Sequence, residues 1–154
     1  MYPREQSSPF EGKLSDNTIS IRMYGIDAPE LKKIAKIPSM PCAEDARDWT
    51  KNKVNGKIVE VQLFQKDQYN RVVGRVVTTD EIIPTDLSLG LAHNGFATLY
   101  KGKGAEYAGN KVLLENQLNY AKSSRLCVWK DGEAMSPAIY KKMVKEIKQS
   151  TKIK

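Results

Sequence analysis

Thr18-Ile19-Ser20-Ile21-Arg22-Met23-Tyr24-Gly25-Ile26-Asp27-Ala28-Pro29-Glu30 is the stretch that decides how the rest of the chain is read. Its first half alternates, with Ile19, Ile21 and Met23 on one side and Ser20, Arg22 and Tyr24 on the other. A period of two predicts a strand whose arginine turns away from the core toward a groove. Pro29 has no N–H to give to a ladder, so the strand ends in a turn there. That turn sets two carboxylates, Asp27 and Glu30, three residues apart beside a strand arginine. One carboxylate can hold a metal while the other accepts a proton, although the plainer reading of the segment alone is a polar loop with an N-capping Asp.

Working outward, Pro38, Ser39 and Pro41 make residues 31–41 a loop. Ala43, Ala46, Trp49, Thr50 and Lys53/Val54 then fall at helical spacing, with Gly56 as the C-terminal cap. Val59, Val61 and Leu63 alternate against Glu60 and Gln62, Asp67-Gln68-Tyr69-Asn70 has turn chemistry, and Arg71 to Thr78 is β-branched, so 57–78 reads as a hairpin. A hairpin tip with Tyr69 and Arg71, and Arg75 four residues on, can stack a base and pair a phosphate, although the plainer reading of the segment alone is again a solvated turn. Asp86 caps a short helix running to Asn94, Phe96 to Tyr100 is a short strand, and Lys101-Gly102-Lys103-Gly104 is a basic loop. Leu114, Leu118 and Ala121 mark a helix over 109–125, and Tyr140, Met143/Val144 and Ile147 mark a last amphipathic helix over 138–148. The order strand, helix, hairpin, helix, strand, helix, helix does not suit a doubly wound parallel sheet. It predicts an α+β fold, a small antiparallel barrel decorated by helices.

A chain of 154 residues, 40% hydrophobic and 28% charged, makes one globular domain rather than a disordered segment. No run of about 18 apolar residues exists, so no transmembrane segment is expected, and the polar start lacks the apolar core of a signal peptide. The net charge of +7 favours a polyanion, either nucleic acid or an anionic membrane surface, or else reflects a solvated lysine-rich exterior. One histidine (His93) and two cysteines (Cys42 and Cys127) exclude a four-ligand zinc site and a paired-histidine ribonuclease mechanism. Nothing local supports a Cys–His nucleophile pair. The cysteines are expected as free thiols, His93 as an exposed helix residue, Trp49 and Trp129 as core anchors, and the C-terminal lysines, Lys141 among them, as a solvated face.

Four ordered blocks resemble the staphylococcal nuclease (thermonuclease) family: Arg22 with Gly25-Ile26-Asp27-Ala28-Pro29-Glu30, then Asp67-Gln68-Tyr69-Asn70-Arg71-Val72-Val73-Gly74-Arg75, then Asn94-Gly95-Phe96-Ala97-Thr98-Leu99-Tyr100, and a closing helix ending in Trp129. Ser15-Asp16-Asn17-Thr18 and Lys103-Gly104-Ala105-Glu106-Tyr107 are similar to the eukaryotic branch that includes membrane-anchored mitochondrial nucleases of fungi. The resemblance implies an OB-fold over 15–132, between an irregular segment at 1–14 and a basic helical extension at 133–154. It implies a monomeric calcium-dependent phosphodiesterase that cuts DNA and RNA, prefers single or frayed strands, and leaves 3′-phosphates. Carried over residue by residue, the catalytic arginines fall on Arg22 and Arg71 and the general base on Glu30. The metal ligands fall on Asp27 and the backbone carbonyl of Ala28, and base stacking on Tyr69, with Tyr100 near a second such position. Mitochondrial or membrane-associated location follows from the resemblance alone, with no targeting segment visible.

Two departures qualify the match. Relatives carry an Asp-Gly-Asp-like motif on a strand before the arginine strand; here Asp16 is the only nearby acid. The first barrel strand is therefore expected to be missing and the calcium site weak, which leaves a catalytically impaired OB-fold module, binding nucleic acid or a modified peptide, as the alternative. Cys127 stands where relatives usually have Gly, which predicts a strained helix end.

Overall fold

A computed structural model of the chain describes residues 13, 17–32 and 35–152. The expected irregular segment 1–14, Lys13 apart, and Asp16 lie outside the described residues. β1 (Ile21–Met23), β4 (Val72–Thr78) and β3 (Val59–Lys66) form a three-stranded sheet in the order β1-β4-β3. β2 (Ile26–Asp27) and β5 (Thr98–Leu99) form a separate antiparallel pair. Tyr24-Gly25 joins the two sheets: the Tyr24 N–H donates to Gly74 O at 3.0 Å, and Gly25 O accepts from the Tyr100 N–H at 2.9 Å. Gly25 has φ 70, and a Cβ there would lie 2.6 Å from Leu114 Cδ2, so both the bend and its packing require glycine.

Two expectations about the strands are corrected. β1 runs parallel to β4, with Arg22 opposite Val73, rather than joining a wholly antiparallel sheet. The face assigned to the core holds only in part: Met23 packs against the core, but Ile19 is 63% exposed and Tyr24, placed on the polar side, is fully buried. The phenol is polar only at its tip, and that tip is satisfied: it donates to Asp86 Oδ2 at 3.0 Å and accepts from Asn110 Nδ2 at 3.2 Å. Arg22, opposite buried Val73 and two residues before Tyr24, shares a strand face with both. In β3 a register shift between Leu63 and Gln65 breaks the alternation. Leu63 is turned out to solvent and Phe64 packs on the core in its stead.

Helix α1 (Ala43–Val54) joins the main core through Ala46 and Trp49. Helix α2 (Leu87–His93) starts where the Asp86 side chain accepts from the Leu89 N–H, and helix α3 (Lys111–Ser123) buries Leu114, Leu118 and Ala121. His93 is exposed, as expected, and stacks on Tyr120. Helix α4 (Pro137–Lys152) seats Tyr140 and Val144 on Ile37 and Met40, a second cluster beside the main core.

The cysteines are not free thiols: Cys42 and Cys127 form a disulfide with Cα atoms 6.0 Å apart, tying the start of α1 to the 3-10 turn Cys127–Trp129. A sequence separation of 85 residues hid this proximity. The expected strain after α3 is present, since Arg125 (φ 51) and Cys127 (φ 45) both take left-handed backbone.

Candidate active site

Arg22 and Arg71 reach the groove from neighbouring strands. Parallel pairing sets Ile21 against Val72 and Arg22 against Val73, so Arg71 emerges beside the start of β1 on the same side as Arg22. The two guanidinium groups line one open cavity of about 500 Å³ together with Asp27, Ala28, Pro29 and Glu30. An adjoining cavity of about 620 Å³ adds Tyr69, Tyr100, Asp67 and Lys103 to the same pair of arginines. Arg22, Asp27, Ala28, Glu30, Arg71, Tyr69 and Tyr100, picked from the sequence, therefore share a single groove.

Each cation is held by a specific partner. Arg22 Nη2 donates to Asp27 Oδ1 at 2.9 Å, and its guanidinium lies 3.9 Å over the Tyr100 ring. Arg71 is set by Asp67. Oδ2 of that carboxylate accepts from Arg71 Nε at 2.8 Å, while Oδ1 accepts from the backbone N–H groups of Tyr69 (2.9 Å) and Arg71 (3.0 Å). Desolvation pulls Asp67 upward, but the N–H groups of Arg71 and Tyr69 and the Arg71 side chain outweigh it and hold the carboxyl below its usual value. Tyr69 is 71% exposed at the hairpin tip, with the Arg71 guanidinium 5.4 Å from its ring centroid, so one face of the phenol is open to a base. Arg75, also singled out from the sequence, does not join the groove residues; it pairs with Asp86 at 2.8 Å and thereby stays linked to the buried Tyr24 hydroxyl.

Glu30 sits at the root of the loop between β2 and α1. Its carbonyl accepts from the Met40 N–H at 2.9 Å, and its own N–H points at Met40 Sδ at 3.2 Å. The carboxylate lies 3.1 Å from the Lys141 ammonium of α4. Lys141 is the residue that sequence reading missed, having been grouped with a solvated lysine face. The signal for it was indirect, because the Tyr140/Val144 period implies docking, and a docked helix carries the residue next to Tyr140 to the rim of its contact.

A family model described as staphylococcal nuclease homologue matches residues 20–131. The chain belongs to the staphylococcal nuclease family. Its relatives include "Endonuclease Htp3" of Saprolegnia parasitica, 33% identical over 132 residues, which are 86% of this chain and 62% of that protein. "Probable endonuclease LCL3" of Komagataella phaffii is 37% identical over 134 residues, 86% of this chain and 58% of that protein. The protein of the same name in Arthroderma otae is 40% identical over 101 residues, 64% of this chain and 36% of that protein. The chain thus spans less than two thirds of the length of these relatives. Within the nuclease-family span lie all seven groove residues named above, whereas Lys141 falls outside it.

The donor set suits a hard cation with few protein ligands. Asp27 spends Oδ1 on Arg22, and Asp27, Ala28 and Glu30, each with an oxygen donor to offer, line the same cavity. Among the described residues, the one group of three metal-ligating side chains is elsewhere, at Cys42, Asp45 and Cys127, and two of its members are already bonded to each other.

Proposed function

We propose that this chain hydrolyses phosphodiester bonds in DNA and RNA, with calcium as the cofactor, preferring single or frayed strands and leaving 3′-phosphates. The observation that carries the reading is the convergence of Arg22 and Arg71, from adjacent strands, on a cavity that also holds Asp27 and Glu30. A phosphodiester under attack gathers negative charge on its non-bridging oxygens. Two forked guanidinium groups, each already oriented by a carboxylate, can grip those oxygens without reorganising. Glu30 accepts the proton of the attacking water, a task worth roughly 10²–10⁴ in rate. Asp27 and the Ala28 carbonyl are the residues to hold calcium, which when bound neutralises charge on the phosphate. Tyr69 offers a stacking face that tolerates any base but needs it unpaired, which supports the single-strand preference.

The test is cleavage of a labelled single-stranded oligonucleotide with calcium and with chelator, beside Glu30→Gln and Arg71→Ala. Loss of about 10²-fold or more in either variant is expected; equal rates in all samples would remove the reading. A second reading, a binding module without cleavage, draws on the sparse acid set of the groove, where Asp27 is already engaged by Arg22. Salt-dependent binding with no cleavage under any metal would favour it.

A further inference from the structure

Lys141 belongs to α4, beyond residues 20–131 matched by the family, yet it lines both cavities of the groove. Pro137, Ala138 and Lys141 are spaced four and three residues apart, which puts them on one helix face, and all three line the cavity that holds Tyr69 and Tyr100. The adjoining stripe of the same helix is fixed by Tyr140 and Val144, buried on Ile37 and Met40. Met40 is in turn hydrogen-bonded to the backbone of Glu30, so the seat of α4 and the root of the candidate base belong to one packed unit. The first turn of α4 is therefore a wall of the groove rather than an appendage.

The ammonium of Lys141 carries three N–H donors, of which the 3.1 Å pair with Glu30 uses one. Its side chain is 58% exposed, against 20% for Glu30, and it lines both cavities, so the remaining donors are accessible to a ligand in the groove. Arg22 and Arg71 also line both cavities, so Lys141 shares the groove with the two guanidinium groups.

We propose that Lys141 is a substrate-binding residue, contacting a backbone phosphate next to the one gripped by Arg22 and Arg71, and that α4 thereby extends the nucleic-acid groove beyond the family domain. This rests on the nuclease reading above. The contact is electrostatic and blind to sequence, so it acts on affinity and on its salt dependence.

The experiment measures binding of a fluorescent single-stranded oligonucleotide by anisotropy, with chelator, over about 50–200 mM salt. Lys141→Gln is expected to weaken binding about three- to tenfold and to flatten the log-affinity against log-salt slope by about 0.7, the value for one phosphate on a single strand. Lys141→Arg is expected to keep the slope. In cleavage with calcium, KM rises for Lys141→Gln while kcat stays within about twofold. An unchanged slope in Lys141→Gln, or a fall in kcat at unchanged affinity, overturns the proposal in favour of a tether for Glu30, and leaves the nuclease reading standing if the wild type binds and cleaves. A wild type that neither binds nor cleaves overturns both.

Discussion

Removing the Cys42–Cys127 bridge is the perturbation whose size is most directly calculable. The bond closes a loop with a sequence separation of 85 residues, nearly the whole span from α1 to the turn after α3. Chain-entropy reasoning for a loop of that length gives about 4.6 kcal/mol of stabilisation, within the roughly 2–5 kcal/mol that loss of a native disulfide costs. With a urea m-value of about 2 kcal/mol/M, the unfolding midpoint should fall by about 1–2.3 M. The backbone makes a finer distinction possible. Cys127 has φ 45, a conformation costing on the order of 1 kcal/mol for any side chain, and Cys127→Ser keeps that cost whereas Cys127→Gly sheds it. Reduced wild type and Cys42→Ser/Cys127→Ser should therefore unfold at one midpoint, with Cys127→Gly recovering about 1 kcal/mol of the loss. The assay is urea unfolding followed by tryptophan fluorescence, with thiol titration of the folded protein beside it. Two reactive thiols in the non-reduced protein, or no midpoint change on reduction, would refute the reasoning.

Gly25→Ala should lose about 2–4 kcal/mol, combining a left-handed residue with a Cβ 2.6 Å from Leu114 Cδ2, as measured by thermal unfolding. Asp67→Asn leaves Arg71 without its ionic partner, so kcat should fall about 10- to 100-fold with little change in fold by circular dichroism; an unaltered kcat would show that Arg71 is positioned by other means. Glu81 is held at about 2 by the Lys53 ammonium first, then by the Thr85 and Thr78 hydroxyls. Its folded-state value is depressed, so its stabilising contribution is complete above the usual 4.5 and is lost as pH falls toward about 2. Glu81→Gln should accordingly melt below the wild type at neutral pH and converge with it near pH 2, and parallel curves across that range would contradict the assignment.

The helices and the hairpin were legible because each rests on local chemistry: the Asp86 cap, the Asp67–Arg71 turn, the spacing of Leu114, Leu118 and Ala121. The groove residues were legible as a set only through family resemblance, because Arg22 and Arg71 are strangers in sequence and meet through the β1–β4 register. Sequence pattern misled where a residue is amphipathic or a ladder irregular. Tyr24 buries its ring while Asp86 and Asn110 satisfy its hydroxyl, and the bulge after Leu63 turns one apolar side chain outward. The disulfide and the Lys141–Glu30 pair were beyond local reading, since each joins segments brought together only by the finished fold.

The loop that begins at Glu30 is closed on itself at its base, where Met40 takes both backbone contacts of Glu30, and again where the Lys32 N–H donates to Ser39 Oγ at 2.8 Å. Such a neck makes the length of the excursion and the position of its anchored carboxylate separate variables. Residues can be spliced between the exposed Ala35 and Lys36, short of buried Ile37, a cassette or a reporter tag for instance, at a closure cost that grows only with the logarithm of the insert. The stem below would keep its geometry, so this loop is where the protein can be lengthened without moving the group that would activate water.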